Sequence, residues 1–123
     1  MASISPKKHT ILYVDDDAKI LELMGEIFSS QNFKLVTKIS GEEGLKYLKE
    51  NELVSVVISD FKMHGMNGLE FLHQVKTHSP ITKRCLCSGS FDENTLETMV
   101  HKQEIHSFMM KPVNIANMLA TIN

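Results

Sequence analysis

The strongest constraint on the fold is an alternation. Short apolar, β-rich runs recur along the 123 residues, and each is followed by a stretch with helical apolar spacing. Residues 10–14 (Thr-Ile-Leu-Tyr-Val) predict a first strand that stops at Asp15. Residues 18–30 carry Ile20, Leu21, Met24, Ile27 and Phe28, which fall on one stripe of a helix broken by Asn32. A second strand is expected over 34–38. Ser40 with Glu43 three residues on then forms the capping-box pattern of a helix running to about Asn51. Residues 53–59 (Leu-Val-Ser-Val-Val-Ile-Ser) read as a buried strand, and 69–77 as a helix ended by His78-Ser79-Pro80. A strand over 83–88, a helix over 91–101 capped by Asp92, a strand over 108–110 and a helix from Val113 complete the pattern. Apolar strands that each return through a helix imply an α/β three-layer sandwich around a parallel sheet. The pattern does not fix the strand order.

The alternation also sorts the polar residues. Asp15 and Asp16 follow strand one, Asp60 follows strand three, Ser88 ends strand four and Lys111 follows strand five. The carboxyl ends of parallel strands share one edge, which is where ligands bind in open α/β sheets. Scattered surface charges would not usually fall so consistently there. Three clustered carboxylates repel one another, and a hard divalent cation such as Mg²⁺ relieves that repulsion. The ion can also hold a phosphoryl oxygen while an aspartate attacks phosphorus, with Lys111 supplying a second positive charge and Ser88 a hydrogen bond. Removing a carboxylate should relieve that repulsion, so Asp16→Asn is expected to stabilise the metal-free protein while abolishing phosphorylation. Taken singly, each residue has a plainer reading: Asp15, Asp16 and Asp17 as helix caps, Asp60 as a loop cap, Lys111 as surface.

Composition narrows the classes. Charged residues are 23% of the chain and the net charge is -2, so no basic field favours direct nucleic-acid binding. No apolar run approaches the roughly 20 residues that span a bilayer, and no secretory signal is evident, so a cytoplasmic protein without membrane contact is expected. Cys85 and Cys87 share one strand and point to one face, which suits buried, reduced thiols.

Ile11-Leu12-Tyr13-Val14-Asp15-Asp16-Asp17 resembles the opening of response-regulator receiver domains. The segment Val57-Ile58-Ser59-Asp60-Phe61-Lys62-Met63, continued by Met66-Asn67-Gly68, resembles the surroundings of their phosphorylated aspartate. Cys87-Ser88-Gly89 resembles their Ser/Thr strand end, and Phe108-Met109-Met110-Lys111-Pro112 their Lys-Pro motif with its switch aromatic. The resemblance implies one receiver domain over 1–123, with a flexible N-terminus over 1–8 and a doubly wound, flavodoxin-like sheet in order 2-1-3-4-5. It implies Asp60 as acceptor of a phosphoryl group from a histidine kinase or phosphotransfer protein, assisted by Lys111 and Ser88. Mg²⁺ would be held by Asp16, Asp60 and the Lys62 backbone carbonyl, with Asp15 acting through water. Ser88 and Phe108 would switch an output surface, which could support a phosphorylation-dependent dimer. Such a domain is not an enzyme beyond assisting its own phosphorylation and dephosphorylation.

Two residues depart from the family pattern and are expected to modulate the site. His64 stands where many members have proline, and Lys62 is long and cationic two residues past Asp60. The last helix is short, which suggests a piece of a longer protein with an output domain or partner beyond Asn123. Two other functions compete. One is a receiver fold that serves as an unphosphorylated docking module. The other is a haloacid-dehalogenase-type phosphatase, whose nucleophile motif Asp15-x-Asp17 imitates; against it stand Lys19 and the lack of any acidic residue after Lys111. A flavin-binding module would need a phosphate loop where three aspartates stand.

Overall fold

The computed structural model describes residues 9–29, 31, 33–51 and 53–122. The flexible N-terminus expected over 1–8, the helix end at Ser30 and the break at Asn32 lie outside them. The elements are β1 (His9–Val14), α1 (Ala18–Phe28), β2 (Phe33–Lys38), α2 (Gly41–Glu50), β3 (Val56–Asp60), α3 (Gly68–His78), β4 (Lys83–Ser88), α4 (Glu93–His101), β5 (Ser107–Met110) and α5 (Ile115–Ile122). All four pairings are parallel and the sheet order is β2-β1-β3-β4-β5, as the resemblance implied.

The period-two alternation of the strands builds two cores. Leu12, Val14, Val57 and Leu86 face α2, α3 and α4 through Leu45, Leu48, Phe71, Leu72, Val75, Leu96 and Met99. Ile11, Tyr13, Ile58, Cys85, Cys87 and Met109 face α1 and α5 through Leu21, Met24, Phe28, Met118 and Ile122. Both cysteines are free and buried on this second face, and burial pushes their thiols up, to about 11 and about 12. No helix among the described residues is long and apolar enough to cross a membrane.

Local capping fixes where the helices begin. Asp17 Oδ1 accepts from Lys19 N (3.0 Å), Ser40 Oγ from Glu43 N (3.1 Å) and Asp92 Oδ1 from Thr95 N (2.8 Å). A complete reciprocal box that the sequence pattern did not suggest joins Asn67 and Glu70 at the start of α3. Three boundaries differ from expectation. The strand expected from residue 53 starts at Val56, because Leu53 is 70% exposed with φ +20°. It also runs one residue further, so Asp60 is the last paired residue of β3 rather than the first of the loop. The helices expected from Phe91 and Val113 start at Glu93 and Ile115.

Arg84 is a buried cation near the start of β4, 3% exposed. Its guanidinium donates to the carbonyls of Glu104 (3.2 Å) and Gln103 (3.0 Å), fastening the α4–β5 turn to β4. The backbone repeats the connection: His106 N donates to Arg84 O at 2.8 Å, and Arg84 N to His106 Nδ1 at 2.9 Å. Arg84→Met keeps the aliphatic stem and removes the donors. It is expected to lower stability by about 1–3 kcal/mol, measured by urea unfolding, with amide exchange rising first at 102–106.

Candidate functional site

Asp15, Asp16 and Asp17 begin as three identical side chains and end in three environments. Asp17 is the α1 cap. Asp15 is drawn inward because its N–H donates to Lys38 O (3.2 Å), prolonging the β1–β2 ladder by one residue. Its side chain is buried. Oδ1 accepts from Asp17 N at 2.9 Å, while buried Oδ2 has no hydrogen-bond partner among the described residues. Burial, with the neighbouring Asp60 charge added, raises the Asp15 pKa despite the Asp17 N–H. Asp16 lies at the surface edge, where Oδ2 accepts from His64 N (3.0 Å) and His64 Nδ1 (2.8 Å). Desolvation opposes its charge, but the two His64 bonds together outweigh it and hold Asp16 below the ordinary carboxylate range. Among the described residues, the buried carboxylate oxygen without a partner is that of Asp15, not one of Asp16.

Asp60 ends the central strand and is buried, 8% exposed. Its Oδ1 accepts from Phe61 N at 2.9 Å and from Lys111 Nζ at 2.9 Å. Lys111 is partly buried, which works against its charge; the bond to Asp60 prevails and raises its pKa. One oxygen each of Asp15, Asp16 and Asp60 lies within 4.8 Å of the others. The acidic cluster expected at the sheet edge thus exists, with Lys111 attached to it.

Ser88 is buried at the end of β4, and its Oγ accepts from Ser90 N at 2.9 Å. That bond uses a lone pair and leaves the hydroxyl proton free to donate. Phe108 is partly buried against the core formed with α2, α3 and α4. It pairs with Leu86, whereas Ser88 pairs with Met110. Ser88 and Phe108 therefore share a face but are offset by two residues, roughly 7 Å along the strand direction. Lys62 is exposed in the loop after β3. His64, expected only to lie near the site, binds Asp16 directly. The sequence reading did not pick out Phe61 and Phe91, whose rings meet edge to face at 4.6 Å between centroids, joining the loops after β3 and β4. Their only signal was an aromatic just past each site strand.

The donor set suits a hard cation. Three carboxylates offer oxygen ligands, no soft ligand intrudes among them, and the orphaned Asp15 Oδ2 is a buried acceptor lacking a positive partner. Mg²⁺ fits that arrangement, since it binds through a few carboxylates and keeps waters.

Comparison with known proteins agrees with this geometry. The family model "Response regulator receiver domain" matches residues 11–123. The probable chemotaxis protein CheY of Rhizobium etli is 30% identical over 119 residues, covering 94% of this chain and 91% of that protein. The transcriptional regulatory protein GlrR of Escherichia coli (strain K12) is 34% identical over 113 residues, 90% of this chain. The match spans only 24% of GlrR, so the chain covers about a quarter of that relative. A crystal structure of adenylate cyclase from Rhodopirellula baltica superposes with TM-score 0.88 at 30% identity, covering 95% of this chain and 86% of that one. A response regulator receiver domain from Clostridium thermocellum superposes with TM-score 0.85 at 27% identity, over 94% and 91%. Sheet order, acidic edge and sequence match converge, and the chain belongs to the response regulator receiver domain family.

Proposed function

We propose that the chain acts as one phosphoacceptor signalling unit, in which Asp60 takes a phosphoryl group from a histidine kinase or a phosphotransfer protein. The observation that carries this reading is the triad of carboxylate oxygens within 4.8 Å, with Lys111 Nζ already bonded to the Asp60 carboxylate. When bound, Mg²⁺ would neutralise charge on the phosphoryl oxygens. Asp16, Asp60 and the Lys62 carbonyl would hold it, with Asp15 acting through water. A carboxylate oxygen of Asp60 forms the new bond to phosphorus as the bond to the donor's leaving group breaks. Oδ1 is already committed to Phe61 N and Lys111, which favours Oδ2 as the attacking atom. Lys111 can follow the developing negative charge, and the Ser88 hydroxyl can donate to a phosphoryl oxygen. Movement of Ser88, relayed past the Leu86–Phe108 pair, would alter the face made by α4, β5 and α5, the output surface for a partner or a second copy. The domain works as a signalling module rather than an enzyme.

Incubation with acetyl phosphate and Mg²⁺ is expected to add one phosphoryl mass to the intact protein, and none to the Asp60→Asn variant. Equal labelling of the two proteins would remove Asp60 from its role. A folded wild-type protein that never labels would favour the unphosphorylated docking module.

A further inference from the structure

We propose that His64 is a positioning residue for Mg²⁺, holding the Asp16 carboxylate in its binding orientation. The inference rests on the Mg²⁺ reading above.

Two donors from one residue converge on one oxygen. Asp16 Oδ2 accepts from the backbone N–H of His64 at 3.0 Å and from its ring Nδ1 at 2.8 Å. A carboxylate oxygen offers about two lone-pair sites, so Oδ2 is filled and the orientation of the whole carboxylate is set. The contact is not a by-product of packing, because the His64 side chain is 100% exposed where it meets Asp16. Nor is the backbone donor available to every sequence: proline at 64 would have no N–H to give.

The loop that presents His64 is anchored on its other side as well. Met66 N donates to Glu42 Oε1 of α2 at 3.3 Å. Gly65 between them adopts φ +75°, a left-handed conformation that glycine enters without strain. His64 is thus fixed relative to α2, and Asp16 is fixed relative to His64. Asp16 needs this support more than its neighbours. Asp15 is buried and braced by Asp17 N, and Asp60 is held by Phe61 N and Lys111. Asp16 lies at the surface edge with its side chain 27% exposed. Hydrogen-bond partners that orient a ligating carboxylate strengthen metal binding by fixing the ligand before the ion arrives.

The test uses the full chain and Mg²⁺ alone, titrated by calorimetry at one pH well above the ordinary histidine range, with amide NMR spectra to confirm folding. His64→Ala is expected to weaken Mg²⁺ binding about tenfold, and His64→Pro, which loses both donors, more than that. His64→Asn places an amide N–H near the former ring donor and is expected to recover affinity to within about threefold of wild type. Affinity in His64→Ala equal to or tighter than wild type overturns the proposal while leaving the metal site standing. Binding by His64→Asn as weak as that of His64→Ala also overturns it, since a lost donor would not then be the cause. Absence of Mg²⁺ binding in wild type would overturn the positioning role and the metal reading together.

Discussion

Asp15→Asn is expected to raise the melting temperature of the metal-free protein and to reduce sharply its stabilisation by Mg²⁺. The substitution exchanges a buried charge for a neutral amide of nearly the same shape. It also puts N–H donors where Oδ2 now has no partner among the described residues, in a residue clustered with two further carboxylates. Relieving a buried unsatisfied acceptor and its charge repulsion is worth about 1–2 kcal/mol, or roughly 5 °C and more for a domain of this size. The pH dependence follows from the raised Asp15 pKa, caused by burial and the adjacent Asp60 charge. The folded protein keeps the Asp15 proton at pH values where the unfolded chain, at 3.8, has lost it. Stability attributable to this residue therefore falls as pH rises through that interval, and the penalty is fully present above the raised pKa. The variant's advantage should be largest above the raised Asp15 pKa and fade as the pH falls to 3.8 and below. Wild-type stability should climb with Mg²⁺ by mass action, which the variant should largely lose. Thermal scans across pH, with and without Mg²⁺, check both statements. A less stable variant, or one equally responsive to Mg²⁺, contradicts them.

Gly68→Ala should be the most damaging of the glycine-to-alanine changes. A Cβ at 68 would overlap the carbonyl oxygen of Asp60 and lie 2.9 Å from the Phe61 Cα, both backbone atoms with nowhere to go. The same turn is closed by Gly68 N donating to Phe61 O at 2.8 Å. Relief of the overlap must displace either the start of α3 or the end of β3, and with the latter goes the Asp60 carboxylate. A loss of about 3 kcal/mol is expected, together with loss of labelling by acetyl phosphate in whatever fraction remains folded. Gly25→Ala supplies the control, because a methyl there meets nothing within 4 Å. Inside α1 it should add about 0.5–1 kcal/mol of stability through helix propensity. Labelling should be unchanged. Similar denaturant midpoints for the two variants would show that the turn at Gly68 yields more readily than its backbone contacts imply.

Much of the architecture was legible because burial on both faces makes parallel strands nearly continuous apolar runs. β4 was read at its observed bounds for that reason. β3 was misplaced at its start because Leu53 is as apolar as Val56, and only its φ and exposure, set by tertiary structure, exclude it. The strand order came from family resemblance, since alternation alone permits several orders. Site membership was likewise legible as strand-end chemistry, and the resemblance implied different roles for Asp15 and Asp16, but their difference in burial and partners was not legible. Adjacent identical residues carry no signal of which will be taken into the β1–β2 ladder and which will meet a loop more than forty residues on. Arg84 was invisible for a related reason: its partners are backbone carbonyls, which every residue possesses and no sequence motif marks.

The two cations bound to the sheet have a mechanical consequence. Lys111 ties the far ends of three strands together: its N–H holds Ser88 O of β4 at 3.1 Å, its ammonium holds Asp60 of β3, and its own backbone continues β5. Arg84 fastens the near end of β4 to the turn before β5. β4 is thus fastened at both tips, by the Arg84 guanidinium at one and by the Lys111 backbone N–H at the other. Drawing the Lys111 ammonium away from Asp60 Oδ1 would leave both fastenings of β4 in place and break only the tie between β3 and the end of β5.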